Sequence, residues 1–372
     1  MKWFYTQPVD IHFETGGLAA IGSLIAAQGY RKGLLVCDPF LTKNGLADKI
    51  VQLSHGAIKA VYSDITPNPR VEEVDACAAI IRAETLDFVV ATGGGSSMDC
   101  AKAACAVART QDSITAYHSG GKKLPADAVP LIAIPTTAGT GSEVTCVAVL
   151  SDEARGLKAP IASNVLYPKL VLIDAELTLS VPPKVTASTG LDVLSHALEG
   201  FWSRAHQPIC DALALHAAKL AFTYLPQAFD CGDDLHAREK MCEASVIAGL
   251  AFTLPKTAAS HACSFPLTSV YHLPHGEACA FTLGRLCEIN AAAEDGRLEG
   301  FAHALGFESA AAMGWHIDEL KRYTGMACTL ADAKIPLGEV RALAERCTHP
   351  NILNNPVPLA PDDVEKLLLS LQ

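Results

Sequence analysis

No two cysteines in this chain are spaced Cys-x-x-Cys, although it carries 13 of them in 372 residues. The count is odd and the thiols scatter from Cys37 to Cys347, so the evenly paired framework of a small secreted domain is excluded. They are expected to be reduced thiols, most of them small apolar fillers of a core. Long apolar runs are missing as well. The longest, such as Leu131 to Ile134, are far too short to cross a bilayer. The opening Met1-Lys-Trp-Phe-Tyr5 has no basic region followed by an apolar stretch, so no signal peptide is expected. Positive charge is scarce: 29 Lys and Arg against 40 Asp and Glu leave a formal net charge of −11. That balance argues against nucleic acid or an anionic membrane as the main partner. It does not exclude a small anionic substrate, because a local cluster of cations can oppose the global sign. Charged residues are only 19% and hydrophobic residues 50%, which excludes disorder and allows a large core, comfortably two domains at this length. The chain reads as soluble and cytoplasmic.

The first half alternates short apolar runs with helix-like segments, the pattern of a parallel α/β sheet. Strands are expected at Leu34-Leu-Val-Cys37, Lys59-Ala-Val-Tyr62, Phe88-Val-Val-Ala-Thr92, Pro130-Leu-Ile-Ala-Ile134 and Leu170-Val-Leu-Ile173. Helical spacing runs over 71–84 and 97–108. From about Val181-Pro-Pro183 the texture changes to Ala- and Leu-rich stretches, such as 211–224 and 237–250, which read as helices. The expected division is a dinucleotide-binding α/β domain over 1–180 and a helical metal-binding domain over 181–372, with two prolines ending the last α/β unit.

Three features carry chemistry. Gly93-Gly-Gly-Ser-Ser-Met-Asp99 follows a predicted strand and opens a predicted helix. Glycine lets backbone approach a ligand closely, and free N–H groups at a helix start suit a pyrophosphate. A single glycine would be an ordinary tight turn; three in a row favour phosphate. Pro135-Thr-Thr-Ala-Gly-Thr-Gly-Ser-Glu143 is a second loop after a strand, rich in hydroxyls, and in one sheet the two loops would meet at the strand carboxyl ends, where open α/β sheets bind ligands. Asp38 ends an earlier strand. A carboxylate there accepts from ribose hydroxyls and repels a 2′-phosphate, favouring NAD over NADP, although a turn Asp before Pro39 is an equal reading.

The last feature is a set of metal-binding residue types. Asp192 and His196 are four apart, one face of a helix one turn apart. His261, His272 and His275 follow within one short segment. A carboxylate with two or three imidazoles suits Fe(II), or Zn(II) as the alternative. A helix-surface hydrogen bond explains the first pair alone, and solvated loop histidines explain the others; both patches together favour a metal.

These motifs, in this order and spacing, resemble the iron-containing ("group III") alcohol dehydrogenase family. Pro67-Asn-Pro69, Ile173-Asp-Ala175 before Pro182-Pro183, and Asn354-Asn-Pro356 extend the resemblance over essentially the whole chain. It implies a Rossmann-like N-terminal domain, a helical C-terminal domain and an active site in the cleft between them. The implied metal ligands are Asp192, His196, His261 and His275. The implied NAD(H) contacts are Asp38, Asn68, Gly94, Gly95, Ser96, Asp99, Thr136, Thr137, Ser142 and Lys158. A cytoplasmic homodimer or larger homo-oligomer, interconverting a short-chain aldehyde and its primary alcohol, is the implied protein. Many members carry a histidine four residues after the third ligand; here Phe265 stands there, and His272 is the candidate replacement in proton handling. The segments Ser264-Phe-Pro-Leu-Thr268 and Gly276-Glu-Ala-Cys279 are similar to a subgroup acting on aldehydes bearing a phosphonate, or a sulfonate. Alternatives of the same superfamily are a dehydroquinate-synthase-like lyase, a glycerol dehydrogenase or a maleylacetate reductase. A non-catalytic nucleotide-binding protein is the alternative outside enzymes.

Overall fold

The computed structural model describes residues 3–293 and 295–372; Met1 and Lys2 of the N-terminal stretch read above lie outside them. The chain divides into two compact units. One comprises Thr6–Thr137 and Ser142–Thr178, the other Leu179–Gln372 with Ala138–Gly141 and the N-terminal residues up to Tyr5.

The first unit is built on eight strands: β1 (Asp10–Phe13), β2 (Gly33–Val36), β3 (Ile58–Tyr62), β4 (Phe88–Gly93), β5 (Leu131–Pro135), β6 (Val147–Asp152), β7 (Leu157–Ala162) and β8 (Leu170–Ile173). Six form a parallel sheet in the order β1-β8-β5-β4-β2-β3. Every residue of β2, β4, β5 and β8 is buried, which is why these strands read as unbroken apolar runs. The edges differ. β3 alternates buried and exposed positions, and β1 is exposed throughout, so periodicity alone did not reveal it. β6 and β7 form a separate antiparallel hairpin that was also not anticipated, since Pro160 and Lys158 interrupt its pattern. The unit's helices are α1 (Ile21–Ala27), α2 (Pro39–Lys43), α3 (Leu46–Leu53), α4 (Val71–Ala83), α5 (Gly95–Val107) and the single turn α6 (Thr115–His118). α5 begins two residues before the predicted start. Gly95 and Ser96 therefore belong to its first turn, where backbone N–H groups lack intrahelical partners.

From β2 the chain goes outward to β3 on one side and inward to β4 on the other. The β2/β4 boundary is thus the point where strand order reverses, the place ligands occupy in open α/β sheets. Asp38 and the glycine run follow these two strands.

The second unit is helical: α7 (Pro183–Trp202), α8 (Pro208–Asp230), α9 (Leu235–Phe252), α10 (Ala259–Tyr271), α11 (His275–Phe281), α12 (Leu283–Asn290), α13 (Arg297–Ala304), α14 (Ala310–Tyr323), α15 (Val340–Arg346) and α16 (Pro361–Leu369). Its core sits around α7, whose residues from Gly190 to Trp202 are all buried. Ala214, Ala217, Ala218 and Ala221 of α8 and Ala244, Ala248 and Ala251 of α9 are buried completely, and side chains this small let both helices approach α7 closely. None of the described helices is long and apolar enough to cross a membrane. All 13 cysteines are free and 11 are buried, as the scattered spacing implied.

One buried carboxylate ties the first unit's N-terminal turn to β8. Asp174 accepts from the backbone N–H groups of Gly16 (2.8 Å), Leu18 (3.0 Å) and Glu176 (3.1 Å). Asp174→Ala leaves these donors without their acceptor; the Leu18 N–H is the buried one, and a buried orphan costs on the order of 1–3 kcal/mol. Urea denaturation should show a loss of stability of about 2–4 kcal/mol; an unchanged midpoint would mean that water replaces the carboxylate.

Candidate metal centre and cofactor turn

All ten residues expected to meet the dinucleotide lie in the first unit, around the carboxyl ends of β2, β3, β4 and β5 and on the β6–β7 hairpin. Register explains part of this: Gly93 pairs with Pro135 across β4 and β5, and Thr136 N–H donates to Gly93 O at 3.0 Å, so Thr136 and Thr137 follow beside Gly94 and Gly95. Gly93 has φ +136, and a Cβ there would meet Ser97 Oγ at 2.6 Å. Only glycine makes this bend. Ser96 Oγ accepts from Asn68 N–H (3.2 Å), and Lys158 Nζ donates to Asn68 Oδ1 (2.8 Å), bringing the three together.

Three expected contacts have structural partners as well. Asp38 caps α2, its Oδ1 accepting from Phe40 and Leu41 N–H at 2.8 and 3.2 Å. The turn-Asp reading therefore holds, yet Oδ2 still faces Gly93. Asp99 and Ser142 belong to a buried network beneath the glycine turn: Ser142 Oγ donates to Asp99 Oδ1 (2.7 Å), and Val149 N–H donates to Oδ2 (2.8 Å). Lys102, which the sequence reading missed, completes it. Its Nζ donates to Ser142 Oγ (2.8 Å), Thr145 Oγ1 (3.1 Å) and Val147 O (2.9 Å), satisfying all three protons. Burial lowers the lysine to about 8, and the same burial raises Glu143 beside it to about 7. The pair Asp99/Lys102 at i and i+3 on α5 was the available signal.

The metal-type residues gather in the second unit. Asp192 and His196 come from α7, His261 from α10 and His275 from α11. Asp192 Oδ1 lies 3.7 Å from His261 Nε2 and 3.9 Å from His196 Nε2. Those are separations of donors that share one ion at about 2.0–2.2 Å. Among the described residues neither Asp192 Oδ1 nor His261 Nε2, both buried, has a hydrogen-bond partner, a costly state for polar atoms unless a cation lies between them. This unmet pair is the structural observation that a metal fits here.

The other ring nitrogens explain the orientation. His261 Nδ1 faces Glu199 Oε2 at 2.5 Å, and His196 Nδ1 faces Gly139 O at 3.3 Å. Each Nδ1–H donates outward, which leaves the Nε2 lone pair to point inward. His196 is also stacked on Phe252, centroids 4.0 Å apart. Burial, with His261 and His275 nearby, drives His196 well below the usual imidazole range, while burial raises Asp192 to about 7. His261 goes the other way. Burial lowers it, but Cys279 and Glu199 outweigh that and hold it well above its ordinary value.

Two members were not anticipated. Glu199 is fully buried; it accepts from Ser260 N–H (2.6 Å) as well as from His261. It follows Asp192 and His196 at i+7, so the helical face already pointed to it. Cys279, read as an apolar filler, stands within the cluster: one donor atom each of Asp192, His261, His275 and Cys279 all lie within 4.8 Å of one another. Its signal was the His275-x-x-x-Cys279 spacing on α11. His272, in contrast, is exposed at the C-cap of α10 with φ 58, outside the cluster. That exposure sets it apart from the buried donors. Gly276, after ligand-type His275, permits the close α11–α7 packing, since a Cβ there would lie 2.0 Å from Ser188 O.

Comparisons with known proteins agree with this arrangement. Residues 8–175 match the iron-containing alcohol dehydrogenase family, and residues 186–371 match the C-terminal region of that family. A crystal structure of sulfoacetaldehyde reductase from Bifidobacterium kashiwanohense in complex with NAD+ is 51% identical, with a TM-score of 0.97 over 100% of this chain and 99% of that one. NAD-dependent methanol dehydrogenase of Bacillus methanolicus is 33% identical over 94% of this chain and 96% of its own. Choline dehydrogenase of Bacillus subtilis is 38% identical over 83% and 78% respectively.

Glu199→Gln keeps the volume but removes the charge that fixes His261. Metal affinity, measured by chelator competition, is expected to fall about 10–100-fold with the fold retained; equal affinity would reduce Glu199 to a packing role.

Proposed function

The chain belongs to the iron-containing alcohol dehydrogenase family, and from that premise we propose that it reduces short aldehydes bearing a sulfonate or phosphonate head group. NAD-linked oxidoreduction between alcohols and aldehydes is the family's activity and this chain's. The head group is supported by the 51% identity to a sulfoacetaldehyde reductase and by the segments around Phe265 and Cys279.

In this reading Asp192, His196, His261 and His275 hold the divalent ion. The single observation that carries it is the unpartnered pair Asp192 Oδ1 and His261 Nε2, buried 3.7 Å apart. When bound, the ion supplies Lewis acidity toward the carbonyl or alcohol oxygen, and NADH supplies the hydride. The chain's part is to prepare that chemistry. Asp192 offsets charge on the ion. Glu199 and the Gly139 carbonyl hold two imidazoles in the tautomer that presents Nε2. Phe252, stacked on His196, keeps water from one side. The first-turn N–H groups of α5 receive the dinucleotide's phosphates, with Asn68, Ser96, Lys158, Thr136 and Thr137 around them. Asp38 Oδ2 receives the ribose hydroxyls, which favours NADH over NADPH. Cys279 places a sulfur atom beside the imidazoles, and burial pushes its thiol up, so its sulfur joins the ion's ligands only where the ion displaces the proton. A cytoplasmic location is supported by the free thiols, and a homodimer or larger homo-oligomer by the exposed edge strand β1, which carries Ile11 and Phe13 outward.

Two measurements test this. Protein reconstituted with Fe(II) or Zn(II) is expected to oxidise NADH with sulfoacetaldehyde or phosphonoacetaldehyde at a kcat/KM at least about tenfold above that for butanal, and His196→Ala to lose activity and metal together. A metal-free, fully active His196→Ala protein would refute the assignment. Separately, Co(II)-loaded protein is expected to show sulfur-to-cobalt charge-transfer absorbance in the near ultraviolet. Cys279→Ser should remove it while one metal per chain remains; a spectrum indifferent to the substitution returns Cys279 to packing.

A further inference from the structure

Beside the ligand-type histidines, one more imidazole lies against the face of α10 that carries His261. His349 follows α15 at the N-cap of a short 3₁₀ turn, Pro350–Asn354, and its ring is stacked on Phe265 with centroids 4.4 Å apart and planes at 28°. Phe265 is one turn beyond His261, about 6 Å along the helix axis. The turn that carries the ring is anchored to the segment just before the same helix. Asn351 Nδ2 donates to Thr257 Oγ1 (2.6 Å), and Asn354 Nδ2 donates to Pro255 O (2.8 Å) and Thr257 O (3.1 Å). His349 Nδ1 accepts from Asn351 N–H at 3.2 Å. The proton of the neutral ring therefore sits on Nε2, and among the described residues Nε2–H has no acceptor. Burial, then the charge of His261, lowers this imidazole below its ordinary range, which keeps it neutral.

The anchoring decides what such a group can do. A proton relay loads and unloads both states of the ring, but a proton on Nδ1 would face the Asn351 N–H head-on. His349 is a fixed donor. Phe265, on which the ring stacks, is one helical turn from a ligand-type histidine, a spacing comparable to the length of a two- or three-carbon substrate. We propose that His349 is a specificity-determining residue whose Nε2–H donates a hydrogen bond to an oxygen of the substrate's polar head group, with Phe265 as the flat support that fixes the ring. The assignment rests on the aldehyde reduction proposed above.

Calorimetric titration of the metal-loaded, NADH-bound enzyme with alcohols that cannot take hydride from NADH reads this without turnover. The probes are 2-hydroxyethanesulfonate, 1,3-propanediol and 1-propanol. Wild-type enzyme is expected to bind one of the two head-bearing alcohols at least about tenfold tighter than 1-propanol, the worth of one well-placed hydrogen bond. His349→Phe keeps the stacking and removes the donor; it should abolish that preference while metal content and 1-propanol binding stay unchanged. His349→Gln, which restores an N–H near the same point, should recover most of it. Asn351→Ala, which loosens the anchor without touching the ring, should weaken only head-group binding, by about threefold or more, and decides the matter if His349→Phe does not fold. A preference retained in His349→Phe, or in Asn351→Ala where that variant decides, overturns the assignment while leaving the reductase reading intact. A wild-type preference for 1,3-propanediol over the sulfonate overturns the anionic head group and leaves His349 standing. No preference at all overturns both.

Discussion

A carboxylate and several imidazoles can share a dry pocket only if a cation joins them. That constraint organises the helical unit. Asp192 and His261 present atoms that no group among the described residues satisfies, and burial penalises each of them separately. Around the pair, every neighbour acts to keep those atoms aimed inward. Glu199 takes the outer nitrogen of His261, the Gly139 carbonyl takes that of His196, and Phe252 covers a ring face. The alanines of α8 and α9 let these helices close on α7, and Gly276 lets α11 do the same from another side. Small residues there are a condition of the site, because the donors sit on three different helices.

The α/β unit solves a different problem, the reception of a charged dinucleotide by backbone. Strand order reverses between β2 and β4, opening a gap at their carboxyl ends. Gly93 turns there in a conformation closed to other residues, and α5 starts at once with its N–H groups free. Asp99, Ser142 and Lys102 hold the base of that turn by a continuous chain of hydrogen bonds. A buried lysine is tolerated because all its protons are used and two carboxyl groups lie close, the compensation that buried charge requires.

Much of this was legible beforehand. Four central strands, buried on both faces, announce themselves as apolar runs, whereas β1 is exposed throughout and β7 contains Pro160, so neither leaves a periodic trace. Asp192, His196 and Glu199 lie at i, i+4 and i+7, a spacing that identifies one helical face without coordinates. Cys279 gave no separate signal, because a buried thiol beside a cluster and a buried thiol in a core leave the same mark in sequence. His272 is exposed at the left-handed C-cap of α10 although His275, three residues on, joins the cluster, because nearness along the chain says nothing about direction. His349 lies 88 residues beyond His261 in sequence numbering. Only the packing of its loop on α10 makes the two neighbours.

By itself the sequence determined the local geometry: which segments are strands, which turn admits a phosphate, and which side chains share a helical face. These follow from short-range sterics and periodicity, which act over a few residues. The tertiary structure alone decided which polar atoms lack partners, which nitrogen of each imidazole faces inward, and which distant rings stack. Those outcomes depend on long-range packing and on the exclusion of water, and neither has a period that can be read along the chain.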